Sequence, residues 1–259
     1  MNRQGGENAA LPARLLPYMQ GVPIVRDSIG CTGAEVLLLP DKVLKVERRS
    51  DESDRERAAY AWLAGRLPVP RVYEAFEEEG RNYLLMERLS GEMACAPKRL
   101  AHPERTARLL AEGLRLLWRV DTGACPFDER LSGKLLRARA RLEAGLMDVA
   151  EMEPETLRRF GTLQAALRFL ERNRPPEDPA FTHGDYCLPN IFLLGETVSG
   201  FIDLGRAGVG DRWQDIALCV RSMRRNFGSD AGTAPLFEAL GLARDEARID
   251  YFILLDEFF

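Results

Sequence analysis

The sequence contains few histidines and no closely spaced cysteines. Only His102 and His183 occur among its 259 residues, and neither has a cysteine or a second histidine at the spacing of a zinc site. The five cysteines are odd in number, far apart and never arranged as C-x-x-C. This pattern argues against a zinc centre and a disulfide framework, and it predicts free thiols in a reducing compartment.

The sequence also has no long apolar run, no signal-peptide pattern and no excess of positive charge. No hydrophobic stretch approaches the length of a membrane span, and the first 21 residues lack a positive segment followed by an apolar core. The formal net charge is −4, which leaves no electrostatic footprint for nucleic acid. We therefore predict a cytoplasmic protein that binds neither membranes nor nucleic acid.

The first third of the chain has the pattern of a small β-rich region with one helix. Residues 24–46 read as strands, and residues 53–66 read as a helix with Ser53 or Asp54 as its N-cap. The stretches "RVYEAF" and "NYLLMER" read as two further strands joined by the polar turn "EEEGR".

Helical periodicity dominates beyond Gly91, apart from one hairpin. The predicted helices and the two hairpin strands cover residues 103–120, 134–145, 156–171, 211–226, 191–194 and 197–203. We predict an α+β fold with two lobes, a small β-rich lobe over 1–88 and a larger, mostly helical lobe over 92–259. A ligand is expected in the cleft between the lobes.

The stretch "FTHGDYCLPNIFLLGETVSGFIDLG", residues 181–205, carries three short polar side chains among residues that read as strand. Hairpin pairing brings Asn190 close to Asp203 although thirteen residues separate them. One carboxylate and one amide oxygen suit Mg²⁺, and Asp185 in the preceding tight loop can orient a hydroxyl and accept its proton. Together they predict phosphoryl transfer. The alternative is that all three side chains only stabilise turns and a strand end.

The small lobe carries residues suited to hold a nucleotide. Lys45 lies within the strand "VLKV", and Glu56 lies along a largely apolar stripe of the following helix, where a carboxylate needs a partner. In the loop "IGCTGAEV", Gly30 and Gly33 permit close approach to phosphate, and Thr32 offers a hydroxyl. Each signal alone is weak, because a solvent-facing lysine, a surface glutamate or a hairpin turn has the same pattern.

The motif "HGDYCLPN" followed by "GFIDLGR" resembles the signature of the aminoglycoside 3′-phosphotransferases, which share the protein-kinase-like fold. The resemblance extends to "WLAGRLPVP", "CPFD", "DRWQDIAL" and the ending "LLDEFF". It implies ATP as cosubstrate and Mg²⁺ as cofactor. By position, it makes Asp185 the catalytic base, Asn190 and Asp203 the metal ligands, Lys45 the phosphate-binding lysine and Glu56 its partner.

The same resemblance implies where adenine binds. Residues from Met86 to Gly91 become the hinge that meets the base through backbone hydrogen bonds, and Phe192 and Ile202 line the adenine pocket. Val43 stands where some relatives carry an aromatic residue that stacks on the base. The choice between ATP and GTP stays open at this level, because hinge backbone groups cannot be read from sequence.

An aminoglycoside carries several ammonium groups, so its site is expected to be rich in carboxylates. With the resemblance, the candidates are Glu153, Glu155, Glu257 and the terminal carboxylate of Phe259, and Arg206 is expected to organise acidic groups or a phosphate oxygen. The stretch "MDVAEMEPET", read as a loop, also carries Asp148 and Glu151. Without the resemblance, a solvated acidic loop and tail is the simpler interpretation.

One helix departs from the resemblance. Close relatives place acidic residues in the segment that reads "RSMRRNFG" here, with Arg221, Arg224 and Arg225, so the range of substrates stays open. We predict an ATP-dependent O-phosphotransferase for the 3′-hydroxyl of aminoglycosides, as a monomer or weak dimer. The alternatives are a kinase of the same fold for another hydroxylated metabolite, or a non-catalytic module that sequesters a cationic ligand.

Overall fold

The computed structural model describes residues 11–26, 34–147 and 152–259, and they form two lobes. The smaller lobe is built on an antiparallel sheet in the order β1-β2-β3-β5-β4. Its strands are β1 (Val25–Arg26), β2 (Glu35–Leu38), β3 (Lys42–Arg48), β4 (Val72–Glu78) and β5 (Arg81–Glu87). A short 3₁₀ turn and two helices complete it: Ala13–Leu15, α1 (Leu16–Met19) and α2 (Asp51–Leu63).

The two faces of the small sheet have different partners. One face carries Leu44 and Val46, which pack with Tyr83, Leu85 and other residues in a core that includes Leu15 and Met19 at the N-terminal helix. Successive strand residues point to opposite faces. Lys45 therefore lies on the other face, in register with Leu84 of β5, and is directed toward α2 and the cleft.

Helix α2 begins with a capping box made of two serines. The Ser50 side chain accepts from the Ser53 backbone N–H at 3.1 Å, and the Ser53 hydroxyl accepts from the Ser50 N–H at 2.9 Å. The prediction that Ser53 or Asp54 caps the helix was wrong, because the helix starts earlier and Ser53 is its third residue. The helix buries Glu56 together with Ala59, Tyr60 and Leu63.

A tight connector joins the lobes. Strand β5 ends at Glu87, and residues 88–91 lead into β6 (Glu92–Met93), which already pairs with a strand of the larger lobe. Gly91 has φ +100°, and a Cβ there would lie 2.4 Å from the carbonyl oxygen of Leu193. Only glycine fits this approach, so the connector is held closely against the larger lobe.

The larger lobe contains the remaining helices and two small sheets, of order β6-β8-β9 and β10-β7. Its strands are β7 (Pro179–Thr182), β8 (Ile191–Leu194), β9 (Thr197–Phe201) and β10 (Gly208–Asp211). Its helices are α3 (Pro97–Leu100), α4 (Pro103–Trp118), α5 (Leu131–Glu143), α6 (Pro154–Phe160), α7 (Leu163–Arg172), α8 (Arg212–Phe227), α9 (Thr233–Leu240) and α10 (Glu246–Asp256). A 3₁₀ turn, Leu188–Asn190, precedes β8.

Several features of this lobe differ from the sequence prediction: one predicted helix is divided, and α3, α9, β7 and β10 are additional elements. The helix expected over 156–171 is two helices, because Gly161 adopts φ +73° and Thr162 then caps α7 through its side chain. The C-terminal helix α10 was not predicted. None of the helices formed by residues 11–26, 34–147 and 152–259 is long and apolar enough to cross a membrane.

One core joins the large lobe to α2. Helix α8 is buried over residues 213–220, and Tyr186 donates its hydroxyl to the carbonyl of Leu110 in α4 at 2.8 Å. The same hydrophobic cluster includes Tyr60 and Leu63 of α2. Helix α2 therefore belongs to the small lobe by sequence but packs as part of both. The mixed α+β, two-lobed architecture predicted from the sequence is confirmed.

We expect Ser50→Ala to lower the free energy of unfolding by about 0.5–2 kcal/mol, the usual cost of losing an N-cap. Urea denaturation gives the value. Ser132→Ala is the matched control, because Ser132 is exposed in α5 and its loss should be nearly neutral. Equal stability of the two variants would show that the serine box contributes nothing.

Candidate active site

An ion cluster in the cleft ties the two lobes together. The Lys45 Nζ donates to Glu56 Oε2 at 2.8 Å and to Asp203 Oδ1 at 2.9 Å. Glu47 lies 3.5 Å from the same nitrogen. The lysine and Glu56 side chains are 12% and 3% exposed. Burial opposes the charge of Lys45, but the three carboxylates raise its pKa above the ordinary value, so the ammonium stays charged.

Within this cluster, burial disfavours the charged form of Glu56. Burial raises its pKa above the ordinary value, while Lys45 lowers it and the nearby Asp203 raises it further. A buried carboxylate of this kind is tolerated only while the ammonium is present. The structure thus brings together Lys45 and Glu56, which the sequence suggested as partners, and adds Asp203 from the other lobe.

The loop that follows β7 is held by the buried carboxylate of Asp215. The backbone N–H groups of His183 and Gly184 donate to Asp215 of α8 at 2.7 and 2.9 Å. Burial raises the pKa of Asp215 to about 7, although both N–H groups oppose the shift. Gly184 has φ +84°, and a Cβ there would lie 2.1 Å from the carbonyl oxygen of Arg206. The loop therefore requires glycine to pack against the segment after Asp203.

Asp215 is a site residue that sequence reasoning missed. It stands in "DRWQDIAL", which was noted only as part of the resemblance. The available signal was an acidic residue directly before the apolar run of α8 from Ile216 to Val220. A carboxylate in such a stretch needs donors from elsewhere in the fold.

The Asp185 carboxylate is held at both oxygens. Asn190 donates its side-chain N–H to Asp185 Oδ2 at 2.9 Å and to the Asp185 carbonyl at 3.0 Å. The Cys187 thiol lies 3.0 Å from Oδ1. Burial raises the pKa of Asp185, but Cys187, His183 and nearby arginines together lower it by more. The net shift of the pKa is therefore downward, and the carboxylate is ionised at neutral pH. Burial and Asp185 together raise the pKa of Cys187, which keeps its proton.

Asn190 and Asp203 are brought together by the hairpin of β8 and β9. The Ile202 N–H donates to the Asn190 carbonyl at 3.0 Å. Asp203 lies two residues beyond the end of β9, with φ +57°, a conformation unusual for a residue other than glycine. Its N–H donates to the Tyr60 hydroxyl at 3.2 Å. The backbone bend and this contact direct its carboxylate toward Lys45.

The donor atoms at this point fit Mg²⁺. The Asn190 amide uses its nitrogen on Asp185, which leaves Oδ1 on the opposite side of the amide, and Asp203 retains Oδ2 beside its bond to Lys45. Within the part of the chain that the structure describes, no group of three or more His, Cys, Asp or Glu side chains is placed to hold a metal. Mg²⁺ needs only one or two protein ligands, since water and phosphate complete its shell.

The residues expected to meet adenine lie where the connector crosses between the lobes. Met86 is buried in β5 and pairs with Val43 on one side and Val72 on the other. Phe192 of β8 pairs with Met93 and Gly200. Ile202 follows β9 and is half-buried. Thr32, with Gly30 and Gly33, lies outside the described residues.

The C-terminal carboxylates are engaged by arginines and by α6. Asp256 accepts from Arg221 at 2.7 Å and from Arg206 at 3.4 Å. Glu257 accepts from the Glu153 N–H at 3.2 Å and from the Thr156 hydroxyl at 2.7 Å. The tail is therefore a folded part of the large lobe and not a solvated end.

The acidic stretch before α7 differs from its prediction as a loop. Glu155 lies in the first turn of α6, where it is exposed and pairs with Arg158. Glu153 takes the N-cap position of that helix and pairs with Arg225 at 3.1 Å. Asp148 and Glu151 lie outside the described residues.

A cavity of about 430 Å³ opens between the tail and the start of α2. Its lining includes Arg206, Asp256 and Phe259, together with Glu52 of α2 and Lys134 of α5. Arg206 also bonds Glu52 at 3.0 Å, so it bridges the tail to α2. The cavity therefore carries both acidic and basic side chains next to the folded tail.

A lysine–glutamate pair in a strand-rich lobe, opposite aspartate and asparagine side chains in a helical lobe, is the arrangement of the kinase-like phosphotransferases. The chain belongs to the phosphotransferase enzyme family, whose profile matches residues 7–252. The family, the enzyme class and the kinase-like fold predicted from the sequence are thereby confirmed.

Similar proteins support this assignment over most of the chain. An aminoglycoside 3′-phosphotransferase of Niallia circulans is 43% identical over 211 residues, covering 79% of this chain and 78% of that protein. One from Staphylococcus aureus is 34% identical and covers 91% and 93%. The crystal structure of an aminoglycoside 3′-phosphotransferase of type VIII superposes with a TM-score of 0.82 at 30% identity, covering 95% and 97%.

We expect Asp215→Asn to lower the free energy of unfolding by about 1–3 kcal/mol, because an amide offers one oxygen and one donor to two backbone N–H groups. Urea denaturation measures the loss, and hydrogen exchange at Gly184 should quicken. Asp250→Asn, an exposed change in α10, is the control and should be nearly neutral. Unchanged stability and exchange in Asp215→Asn would contradict its supporting role.

Proposed function

We propose that this protein transfers the γ-phosphoryl group of ATP to the 3′-hydroxyl of aminoglycosides of the kanamycin and neomycin class, and so confers resistance to them. The observation that carries the proposal is the cleft itself, where Lys45 of the small lobe contacts Asp203 of the large lobe at 2.9 Å. In the large lobe, Asn190 and Cys187 hold the Asp185 carboxylate. The family membership and the named relatives support the same activity. The site of action would be the cytoplasm, where ATP is available and thiols stay reduced.

The nucleotide side of the reaction uses residues from both lobes. Asn190 Oδ1 and Asp203 Oδ2 would hold Mg²⁺, which when bound neutralises charge on the nucleotide phosphates. Lys45 contributes a fixed ammonium for a phosphate oxygen, and Glu56 keeps that ammonium in place. Met86, Phe192 and Ile202, with the connector backbone, would form the adenine site, and Thr32 would lie over the phosphates.

Asp185 would act on the acceptor hydroxyl. Its ionised carboxylate accepts the hydroxyl hydrogen and aims the oxygen at the γ-phosphorus. A bond forms between that oxygen and phosphorus, and the bond from phosphorus to the bridging oxygen of the β-phosphate breaks, so ADP leaves. The proton passes to Asp185. Positioning supplies most of the catalysis, because phosphoryl transfer asks for little covalent chemistry from the protein.

Acceptor recognition is proposed for the acidic groups around the folded tail. Glu153, Glu155, Glu257 and the Phe259 carboxylate are the candidate partners of the ammonium groups. Arg206 would act as organiser, because it holds Asp256 against α2 through Glu52. A charge-assisted hydrogen bond to an ammonium contributes roughly 1.5–3 kcal/mol.

The arginines of α8 narrow the set of free carboxylates. Arg221 bonds Asp256 at 2.7 Å, and Arg225 bonds Glu153 at 3.1 Å. Arg224 contacts Asp230 and Glu246 at 2.9 and 3.4 Å, away from the tail. We propose that the pairs made by Arg221 and Arg225 weaken binding of the aminoglycoside rings that lie farther from the reacting hydroxyl. In this helix, arginines stand where relatives carry acidic residues.

The regiochemistry is tested with two acceptors. Kanamycin has a 3′-hydroxyl and tobramycin lacks it, so we expect ADP production and a mass increase of one phosphate with the first and not with the second. A coupled assay and mass spectrometry follow both. Phosphorylated tobramycin would overturn the 3′ assignment, and ATP turnover that ignores both drugs would overturn the acceptor class.

We expect Asp185→Asn to lower kcat for kanamycin by about 10²- to 10⁴-fold, the scale of a positioned base. The KM for ATP should stay within about twofold, because Asp185 faces the acceptor and not the nucleotide. Steady-state kinetics give both values, with Asp250→Asn as the control of equal charge change. Turnover of Asp185→Asn within about threefold of the wild type would rule out the assigned role.

A further inference from the structure

The loop that follows β7 contains a thiol in contact with Asp185, the proposed base. Cys187 Sγ lies 3.0 Å from Asp185 Oδ1, as donor to the carboxylate. The backbone repeats the link, because the Cys187 N–H donates to the Asp185 carbonyl at 2.8 Å. The four cysteines in the described part of the chain are free thiols, and the proposed chemistry has given Cys187 no task.

The thiol complements the contact made by Asn190. The terminal torsion of an aspartate is soft, so one hydrogen bond leaves the carboxylate free to swing. Asn190 holds Oδ2 at 2.9 Å and Cys187 holds Oδ1 at 3.0 Å, so the plane of the carboxylate is fixed from two sides. Each oxygen can accept two hydrogen bonds, which leaves capacity for the acceptor hydroxyl.

Contacts with helix α8 in turn fix the position of Cys187. The Leu188 N–H, next in the chain, donates to Ser222 Oγ of α8 at 2.9 Å. Arg221, one residue before Ser222, adjoins the thiol and bonds Asp256 of the tail at 2.7 Å. The thiol thus lies between the acceptor-side ion pair and the base.

We propose that Cys187 is a positioning residue, which fixes the Asp185 carboxylate in the orientation that meets the acceptor hydroxyl. This role rests on the proposed phosphotransfer function, since it acts only through the base. A side chain that donates one hydrogen bond at this place can do the task, and one that donates none cannot.

The first test is a split between kcat and KM. Cys187→Ala should lower kcat for kanamycin by about threefold to tenfold, the range of one hydrogen bond, with KM for ATP and kanamycin within about twofold. Cys187→Ser restores the donor and should recover most of the loss. Cys125→Ala is the matched control and should leave kcat unchanged, because the Cys125 thiol lies 3.7 Å from the Phe127 carbonyl and has no carboxylate partner in the proposed chemistry.

The second test asks whether the effect passes through the base. In an Asp185→Asn background, Cys187→Ala should lower kcat no further, whereas a general loosening of the fold would lower it by the same factor in both backgrounds. Thermal melting of every variant separates instability from misplacement. Full kcat in Cys187→Ala, no recovery in Cys187→Ser, or an undiminished effect without Asp185 would each overturn the proposal.

The two levels of inference fail separately. Wild-type protein that does not phosphorylate kanamycin refutes the proposed acceptor, whatever the variants do. In that case the same ratios between variants are measured on basal ATP hydrolysis, where Asp185 orients water in place of the sugar hydroxyl. The ratios alone decide whether Cys187 positions the base.

Discussion

The contact of one ammonium with carboxylates from two lobes is the constraint on which the cleft depends. Lys45 reaches Glu56 on α2 and Asp203 on the far side of the cleft. Helix α2 must therefore lie with its buried face toward the large lobe, which its apolar residues also favour. Asp203 must leave its strand in a left-handed conformation to reach the same point. Removal of the ammonium would leave a buried Glu56 without compensation.

A second buried carboxylate, that of Asp215, holds the loop that follows β7 in place. Asp215 is compensated mainly by two backbone N–H groups, with a smaller contribution from the charge of Lys134. Because those groups belong to His183 and Gly184, the compensation also fixes the residues directly before Asp185. The burial of this carboxylate and the conformation of the loop are therefore linked, because the loop must present both N–H groups to Asp215.

The acceptor side follows a different rule, since its charges are shared among many partners. Asp256 is held by two arginines, and Glu257 accepts hydrogen bonds from the Glu153 N–H and the Thr156 hydroxyl at the start of α6. Charges that are already paired attract an ammonium less strongly than free ones, so specificity depends on which carboxylates remain available. In the proposed function, the arginines of α8 would therefore influence substrate choice as much as the acidic residues they contact.

The sequence predicted the two-lobed α+β class and suggested the residue types of the proposed phosphotransfer site, because periodicity and the spacing of Asp185, Asn190 and Asp203 are local properties. It also suggested Lys45 and Glu56 as partners, through the rule that a buried carboxylate needs compensation. It did not reveal the break between α6 and α7, the cap at Ser50, Asp215 beneath the loop or Cys187 on the base. The role of Asp215 could be recognised only in the tertiary structure, because its two donors lie 32 and 31 residues away along the chain. The cap, the helix break and the thiol contact join residues two or three apart, and they depend on the local backbone conformation, which the residue types alone leave open.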